Sequence, residues 1–400
     1  MKESGDIGIE LIIDNNDTGI DPTYLSFVYT ESIHNILPFM TIDYRDTIGI
    51  AQEYLNFCEG REFKIKLQDL KFEEEGDIKT FDMVVDKEDR NFTNDVGNVM
   101  VSTDNKVYAK HIFYNNDDIK STSYEDNTSG ILDTILTNYN YKFDKINISN
   151  TNDSKIFYNP LKNDLDFIDD ILIKNAYHIS ETPMFCYIDS FNEFNYNSYQ
   201  DMYNSRDIAE LKDVSTETND FETRDVIEDF KIIELGSEKL KKFRSRNYIY
   251  FSNDGDIVED EFDIIKLLPK SKDNVLPIVK HSDLNTSYYY IDDIGYDDTE
   301  ENNVRGRFIY ENRDVFFLQR LQIRTTYNYF YGAGKKIKLK LHMGSGDKPE
   351  ESLYYRGNYI IEVNSIVWDN VNKQMSNVMI ISRCNFNIED DINIKNKLYK

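Results

Sequence analysis

Two stretches near opposite ends of the chain decide the fold: YLSFVYTESIHNILPFMTIDYRD (residues 24–46) and KIKLKLHMGSGDKPEESLYYRGNYIIEVNSIVWDNVNKQMSNVMIISRCNFN (residues 336–387). Apolar and polar residues alternate in both, which is the period of a β-strand with one buried face. The pattern predicts the same kind of small β-barrel used twice in one chain. We expect this duplication to say more about function than any single side chain.

Length and composition indicate several domains with ordinary apolar cores. The chain has 400 residues, of which 40% are hydrophobic and 14% aromatic. A chain of this size divides into two or more compact domains, and its apolar content is unlike that of a disordered acidic chain. The three cysteines, Cys58, Cys186 and Cys384, are far apart and form no CxxC pair. We therefore expect buried thiols in a reducing environment and no disulfide scaffold.

The chain is strongly acidic. Its formal net charge is −27, from 73 acidic and 46 basic residues. Such a surface repels phosphate, so we expect no sequence-specific binding of nucleic acid. Residues 1–6 lack the basic head and apolar stretch of a secretory signal, and no apolar run is long enough to span a bilayer. We expect neither export by that route nor direct membrane insertion.

The first 118 residues predict one barrel or sandwich. Alternating apolar residues, with turn formers between the runs, occur at residues 7–13, 25–29, 39–46, 63–67, 81–85 and 107–114. About six short strands in such a length are typical of a closed or nearly closed β-barrel. Residues 1–118 are therefore the predicted first β-barrel.

Helical spacing begins only after this block. Thr128 or Ser129 can cap a helix that carries a run of apolar residues at helical spacing, namely Ile131, Leu132, Ile135, Leu136 and Tyr139. Asn163 can cap a second helix, whose first turn carries acidic residues. The apolar run at residues 184–188 and its return through residues 191–196 predict a hairpin. We predict that residues 119–215 form an α/β insert.

The remainder predicts a second barrel that is interrupted by a second insert. Residues 201–223 are polar and acidic and indicate an exposed connection, and residues 246–303 combine Tyr-rich strands with acidic turns such as the one at residues 253–256. Asn312 and Asp314 are expected to open a helix that runs through Leu321, before strands at residues 336–341, 358–368 and 378–387. The predicted fold class is mainly β with α/β inserts (α+β): two β-barrel domains, the second formed by residues 216–245 and 304–400, plus inserted domains at residues 119–215 and 246–303.

No residue pattern predicts a catalytic, cofactor or metal site. An acidic cluster lies opposite an apolar helical stripe and is typical of a solvated face; it comprises Asp164, Asp166, Asp169 and Asp170. The histidines share no HxxxH or HxH spacing; they are His34, His111, His178, His281 and His342. No GxSxG or local Cys/His signature occurs, and residues 332–336 predict a turn into a strand and no phosphate loop.

Three further features indicate packing or interfaces. Trp368, the only tryptophan, ends a predicted strand and is expected to anchor a core or an interface. Lys336, Lys338 and Lys340 predict an exposed barrel face, with contact to an acidic neighbouring subunit as the alternative. Exposed tyrosines such as Tyr355 would suit protein interfaces, and they would also suit a sugar-binding groove.

In order along the chain, these residues resemble a known family. YTESI (residues 29–33), LPF (37–39), IDYRD (42–46) and GRE before a strand (60–62) are similar to the opening of baseplate hub proteins from contractile-tailed phages. The later segment YRGNYIIEVNSI, residues 355–366, resembles the G-x-Y-x-V-x-x-V strand of these hub proteins and of related type VI secretion spike proteins. Residues 344–349, GSGDKP, depart from the Pro-Gly-Asp turn that commonly precedes the penultimate strands of the family.

The resemblance implies that both domains are tail-tube-like β-barrels. It also implies a homotrimer whose six barrels match a sixfold tail tube on one side and a threefold central spike on the other. It implies edge strands that pair between subunits, and inserts that point outward or towards the spike. The implied partners are the tail tube, spike, baseplate wedge and tape measure proteins, with DNA passing through a channel without specific binding. The implied location is the virion tail baseplate, after synthesis in the host cytoplasm.

Two functions from other classes remain as alternatives. A tail-associated glycosidase that degrades the cell wall would need two carboxylates in different environments flanking a groove. An acidic carbohydrate-binding surface protein would use its tyrosines to hold sugars. The hub interpretation predicts a structural protein without enzymatic activity.

Overall fold

A computed structural model describes residues 2–4, 7–13, 16–18, 25–46, 58–69, 78–94, 101–115, 118–138, 142–153, 155–213, 225–234, 247–251, 256–261, 286–289, 300–343, 350–351 and 355–384. The strands are β1 (Lys2–Ser4), β2 (Ile7–Ile13), β3 (Asn16–Asp17), β4 (Leu25–Ser32), β5 (Phe39–Asp46), β6 (Glu62–Asp69), β7 (Ile78–Asn94), β8 (Val101–His111), β9 (Ser123–Asp126), β10 (Lys145–Ile148), β11 (Lys155–Tyr158), β12 (Met184–Ile188), β13 (Glu193–Ser198), β14 (Asp207–Asp213), β15 (Val226–Glu234), β16 (Asn247–Phe251), β17 (Ile257–Glu261), β18 (Thr286–Tyr289), β19 (Gln319–Thr326), β20 (Lys336–Lys340), β21 (His342–Met343), β22 (Glu350–Glu351), β23 (Gly357–Asp369) and β24 (Gln374–Arg383). The helices are α1 (Thr128–Thr137), α2 (Asp164–Phe167), α3 (Tyr199–Asn204) and α4 (Glu300–Glu311), with short 3-10 turns at Ile112–Asn115, Ile173–Asn175 and Arg313–Phe316 and a π-helical turn at Ile168–Leu172. The predicted fold class, mainly β with inserts, is confirmed.

The C-terminal barrel is closed by six strands. Its order is β14, β15, β19, β24, β23 and β20, and β20 pairs again with β14. Alternation along each strand sends one face inward, so Ile337 and Leu339 of β20 are buried between outward lysines. The first strand, β14, lies among the residues 119–215 that the sequence assigns to the insert, but it pairs with β20 and β15 and so belongs to this barrel.

The N-terminal sheet repeats this strand order. Five strands, in the order β4, β5, β8, β7, β6, are antiparallel throughout and correspond to β15, β19, β24, β23 and β20 of the closed barrel. The sixth strand differs, because β2 runs antiparallel to β6 whereas β14 runs parallel to β20. Within the described residues β2 does not pair with β4, so this sheet is open where the second barrel is closed.

The turn before β6 in the N-terminal sheet and the turn before β20 in the closed barrel have the same backbone hydrogen bonds. The amide of Gly60 donates to the carbonyl of Val85, and the amide of Val85 donates to the carbonyl of Arg61, at 2.8 and 2.9 Å. In the closed barrel, the amide of Gly334 donates to the carbonyl of Ile361, and the amide of Ile361 donates to the carbonyl of Lys335, also at 2.8 and 2.9 Å. Both glycines have a positive φ, a conformation that side chains with a Cβ adopt at a cost. One residue after Val85 and one after Ile361, the strand carries a β-bulge.

The two units share one continuous sheet. After its bulge, β23 stays paired with β24, while its other edge passes from β20 to β4 and pairs antiparallel, residues 363–368 against residues 32–27. The second half of β23 thereby completes the N-terminal core. Trp368 is 1% exposed within that core, and its Nε1 donates to the carbonyl of Leu25 at 3.1 Å. The expectation that Trp368 is an anchor is confirmed.

The first insert packs its helices on a small sheet. β10, β13 and β12 form a three-stranded sheet, and α1 and α2 cover it with the apolar stripes that the sequence predicts. Asn163 caps α2 as expected. The cap of α1 is Asn127 and neither Thr128 nor Ser129, because the Asn127 side chain accepts from the amide of Gly130 at 2.7 Å.

Residues 246–303, the predicted second insert, contribute a three-stranded sheet, β17-β16-β18, and the first residues of α4. The predicted helix through Leu321 is wrong: residues 319–326 form β19, in which Gln319, Leu321, Ile323 and Thr325 alternate inward. Leu318 and Leu321 have helical spacing, whereas Leu321 and Ile323 alternate as in a strand, and pairing with β15 and β24 decides for the strand. The helix lies earlier, at α4, whose buried face is Val304, Phe308 and Ile309.

Several expected connections lie outside the described residues. They are residues 214–224 of the acidic connection, residues 253–255 of the second insert's turn and residues 344–349. Tyr139 and His281 also lie outside them. Among the helices that the structure describes, none has both the length and the apolar character to cross a membrane.

Candidate functional site

The two barrels and the first insert meet around the bulge of β23. Glu362, the bulge residue, is 1% exposed, and its carboxylate accepts two bonds from Arg320, from Nε at 2.7 Å and from Nη2 at 2.6 Å. His34, in the turn after β4, lies 2.7 Å from the same carboxylate through Nε2. The carbonyl of Glu362 also accepts from the amide of Ile33 at 3.0 Å. One acid thus ties the closed barrel to the N-terminal unit.

Glu362 is held in its ionised form. Burial alone would raise the pKa of this carboxyl, but the hydrogen bonds from His34 and Arg320 outweigh burial, and the net shift of its pKa is downward. A carboxylate that accepts a bidentate guanidinium pair has a fixed geometry as well as a fixed charge. The arrangement suits a rigid structural link.

A second buried cluster connects the N-terminal sheet, the closed barrel and the first insert. Glu31 of β4 is fully buried and accepts from the amide of Ser190, which belongs to the β12–β13 hairpin of the insert, and from Asn364 Nδ2 of β23 at 2.7 Å. Lys79 of β7, 2% exposed, donates to Ser190 Oγ and to the carbonyl of Tyr331, both at 2.8 Å. We call these residues, Glu31, Lys79, Ser190, Tyr331 and Asn364, the junction.

The junction continues as a chain of amide side chains into the closed barrel. Asn377 Nδ2 donates to Asn364 Oδ1 at 2.9 Å, and Asn377 Oδ1 accepts from the amide of Asn328 at 2.8 Å. Asn328 Nδ2 and Tyr331 Oη both donate to Asp225 Oδ1. A fully bonded buried network of this kind specifies one relative arrangement of the elements that supply it.

The charges of the junction are perturbed by burial. Burial raises the pKa of Glu31 to about 7, although the positive charge of Lys79 opposes the shift. Burial lowers the pKa of Lys79 to about 8, against the attraction of Glu31 and Asp189. Burial also raises the pKa of Asp189, whose carboxylate lies 3.5 Å from Lys335 Nζ. Perturbed groups often mark functional sites, but networks that only hold a structure together perturb pKa values as well.

The loop between β19 and β20 fits against the insert with no spare room. A Cβ added to Gly334 would lie 1.8 Å from Tyr187 Oη, and one added to Gly332 would lie 3.0 Å from the Phe191 ring. Lys79 Nζ lies 4.3 Å from the centre of the same Phe191 ring. The prediction that residues 332–336 form a turn into a strand is confirmed, and the turn is also the contact surface of the insert.

Two acids with raised pKa values, Glu31 and Asp189, are shielded from external substrates. Glu31 and Asp189 are 0% and 1% exposed, so neither can flank a groove that admits a polysaccharide. Among the described residues, no group of three or more His, Cys, Asp or Glu side chains is placed to hold a metal ion. The described histidines stand apart from each other; His342, for example, bonds to Asp213 at 2.7 Å, and His111 is buried beside Asn192. The expected absence of cofactors and metals stays a prediction.

The acidic cluster of α2 differs partly from its prediction as a solvated face. Asp166, Asp169 and Asp170 are exposed, but Asp164 is fully buried and lies 2.5 Å from Lys120 Nζ. The lysine stripe of β20 finds its acids within its own chain, because Lys338 and Lys340 both pair with Glu210 of β14, at 3.4 and 2.7 Å. Tyr355, expected at the surface, packs in the closed barrel.

The geometry defines a class: a β protein in which a closed barrel and a second sheet of the same five-strand order share strand β23, with an insert docked at the shared region. This is the fold of phage tail proteins. The chain superposes on a tail protein from Neisseria meningitidis MC58 with a TM-score of 0.54 and 6% identity, covering 94% of this chain and 96% of that one. It superposes on the 43 kDa tail protein of prophage MuSo2 from Shewanella oneidensis with a TM-score of 0.55 and 9% identity, covering 94% and 98%.

A chain of the lidded PdpA–VgrG complex from Francisella is also similar, with a TM-score of 0.50 and 10% identity. The match covers 94% of this chain and 52% of that one, so the present chain corresponds to about half of it. No protein-family model and no curated protein sequence matches the chain. At these identities the likeness concerns the fold, and it agrees with the resemblance that the sequence motifs carry.

Proposed function

We propose that this protein is a structural hub of a contractile-tail baseplate, without enzymatic activity. The observation that carries the proposal is the repeat of one five-strand order in both halves of the chain, within the fold of phage tail proteins. Three copies would supply six similar barrels, enough to face a sixfold tail tube while presenting threefold symmetry to a central spike. The junction then serves to hold the two barrels and the first insert in one arrangement.

In the proposed assembly, the barrels form a ring around a channel, and the inserts at residues 119–206 and 246–303 point outward or towards the spike. Tube, spike, wedge and tape measure proteins are the proposed neighbours, and the virion tail is the proposed location. The net charge of −27 supports passage of DNA without retention, because a negative surface does not hold phosphate. Retention of DNA by the purified protein at physiological salt would contradict that part.

Light scattering on the purified chain, followed by negative-stain microscopy, tests the proposal. We expect a mass three times the 47.2 kDa of one chain and rings with a central opening. A stable monomer that hydrolyses peptidoglycan would replace the hub by the glycosidase. A monomer that binds polysaccharide without cleaving it would favour the carbohydrate-binding alternative.

A further inference from the structure

A row of partly exposed aromatic rings lies where the first insert meets the closed barrel. Phe330, in the turn between β19 and β20, is 44% exposed, and Tyr329 and Phe191 are half-buried. The ring centre of Tyr329 lies 5.4 Å from that of Phe330 and 5.4 Å from that of Phe191, at the tip of the β12–β13 hairpin. Both contacts are edge-to-face, with interplanar angles of 86°. The three rings therefore form one aromatic surface that water reaches.

Polar side chains continue this row across the sheet of the insert. Lys335 Nζ lies 5.1 Å from the centre of the Phe191 ring and 3.7 Å from Glu193 Oε2 of β13. The same Glu193 oxygen accepts from Nδ2 of Asn147, on β10, at 3.0 Å. Rings and polar groups are thus connected contact by contact. We call this surface the aromatic–amide strip; its members are Phe191, Tyr329, Phe330, Lys335, Glu193 and Asn147.

The polar half of the strip keeps hydrogen-bonding capacity. Lys335 Nζ lies 3.5 and 3.7 Å from the carboxylates of Asp189 and Glu193, farther than the about 2.7–3.2 Å of an N–H···O hydrogen bond. Asn147 Nδ2 donates to Glu193 and Asn195, but Asn147 Oδ1 accepts from no group of the described residues. Within the same residues, Glu193 Oε1 also has no donor. One donor and two acceptors therefore remain for a ligand.

Both turns that present the rings are held by buried side chains. Asp189, 1% exposed, accepts from the amides of Phe191 and Glu193 at 3.0 and 3.1 Å. Asn328, 4% exposed, accepts from the amide of Phe330 at 2.9 Å. The rings are therefore fixed before a ligand arrives, which lowers the ordering cost of binding.

We propose that the aromatic–amide strip binds a neutral oligosaccharide. The C–H groups on one side of a sugar ring carry a partial positive charge and pack against the negative face of an aromatic ring. A sugar hydroxyl both donates and accepts, so neighbouring hydroxyls accept from Lys335 and donate to Glu193 and Asn147. An apolar surface with a few placed polar groups is the usual composition of a small-molecule site.

The charges of the strip favour an uncharged ligand. Lys335 lies between the carboxylates of Asp189 and Glu193, so its positive charge is already balanced. A phosphate or an anionic polymer would meet these two acids on a chain of net charge −27. A neutral polyhydroxyl ligand uses the donor and the acceptors of the strip without this repulsion.

A fluorescence titration tests the proposal. Trp368, the only tryptophan of the chain, is 1% exposed, so a Phe330→Trp variant gains a surface fluorophore within the strip. We expect its emission to change saturably with at least one of chitotetraose, cellotetraose and maltotetraose at millimolar concentration or below. Calorimetry on the wild-type protein with the same tetrasaccharides measures the affinity without a substitution.

Tyr158 provides the matched control, because it is 49% exposed, lies in the same insert and is outside the strip. Phe330→Ala and Asn147→Ala should each weaken binding about three- to tenfold, the usual effect of one lost contact. Tyr158→Ala should bind like the wild type, and Tyr158→Trp should show no change of emission with saccharide. If Phe330→Ala does not fold, Asn147→Ala carries the comparison, since Asn147 lies at the surface of β10.

The outcomes separate the saccharide site from the proposed hub. A wild-type protein that binds none of the three tetrasaccharides at millimolar concentration overturns the site. Equal affinities of wild type, Phe330→Ala and Asn147→Ala overturn it too, because binding then lies elsewhere. Loss of trimer mass in Phe330→Ala without saccharide binding assigns the strip to a protein contact instead. A trimer that binds a tetrasaccharide through the strip supports both proposals, and a monomer that does so supports the site and contradicts the hub.

Discussion

Asp86 and Glu362 are bulge residues at the same point of corresponding strands, yet their surroundings differ. Asp86 is about one-third exposed and lies 3.1 Å from Lys110, whose side chain is equally exposed. Glu362 is buried between Arg320 and His34. The bulge itself, with its glycine turn, is common to both barrels. The buried ion cluster surrounds the bulge residue that contacts the N-terminal unit, and the exposed pair surrounds the other.

The bulge and its glycine turn belong to each sheet, whereas the buried cluster around Glu362 belongs to the contact between the sheets. The open N-terminal sheet keeps its bulge at the surface, and the closed barrel has its bulge covered within the same chain. Both β7 and β23 therefore carry a bulge. Among the described residues, it is β23 that pairs with the other sheet after its bulge. Four predictions test how far the two units are equivalent, starting with the largest expected effect.

Neutralising the two bulge acids should have very different effects. Glu362→Gln leaves Arg320 facing a neutral partner in a buried site, and breaking a buried pair costs about 3 kcal/mol or more. Asp86→Asn removes an exposed pair and should cost less than about 1 kcal/mol. Urea unfolding of both variants measures the free energies. Equal losses of unfolding free energy would show that the buried cluster stabilises the protein no more than an ordinary surface ion pair does.

Adding a methyl group at the two turn glycines should also separate the barrels. At Gly60 nothing lies within 4 Å of the new Cβ, so Gly60→Ala should cost only the positive φ, about 1 kcal/mol. At Gly334 the Cβ would collide with Tyr187, and overpacking adds about 1–3 kcal/mol. Thermal unfolding of the two variants gives the comparison. A Gly334→Ala variant as stable as Gly60→Ala would show that the insert does not rest on this turn.

The strands of both barrels could be predicted from the sequence, but the junction could not. GREFKIKL, residues 60–67, and GKKIKLKL, residues 334–341, carry the glycine and the alternation that define β6 and β20. The repeat between these two segments is a sequence feature that could have revealed the shared strand order. Glu31, Lys79 and Ser190 come from three distant segments, and each looks locally like an ordinary polar position. They form one cluster only because the N-terminal sheet, the closed barrel and the first insert pack together.

Other failures have local causes. β19 was predicted as a helix because its apolar residues also fit a period of three to four, and α4 was missed because few of its residues are apolar. The parallel strand β14 follows directly on the insert, and nothing in its composition separates it from that insert. Sheet partners far apart in sequence decided these elements, and alternation alone does not identify partners.

Glu31 should make the stability of the folded protein depend on pH. Its pKa is raised in the folded state to about 7 by burial, against an ordinary value of 4.5. Its contribution to stability is therefore complete below about pH 4.5 and is lost as the pH rises through about 7, with Lys79, Asp189 and Lys335 as the surrounding charges. The difference in unfolding free energy between wild type and Glu31→Gln should fall by about 1 kcal/mol or more from pH 5 to pH 8.

The same measurement on a His111→Asn variant is a control, because the contribution of His111 to the unfolding free energy should change with pH in the opposite direction. Burial lowers the pKa of His111 to about 4, so its contribution is complete above about pH 6.5 and is lost as the pH falls through about 4. Denaturant titrations at a series of pH values record both slopes. A Glu31→Gln curve parallel to that of the wild type would mean that Glu31 keeps its ordinary pKa in the folded protein.

The lysine stripes should give the smallest effects and should behave alike in the two barrels. Lys64 of β6 lies 2.8 Å from Asp82, and its counterpart Lys338 of β20 lies 3.4 Å from Glu210. Both lysine side chains are more than 40% exposed, so solvent screens the pairs, and Lys64→Gln and Lys338→Gln should each cost about 0.5 kcal/mol or less. Unfolding at low and high salt measures them. A much larger, salt-sensitive loss of trimer mass for one variant alone would indicate that its stripe also contacts an acidic neighbouring subunit, and would break the equivalence of the two outer faces.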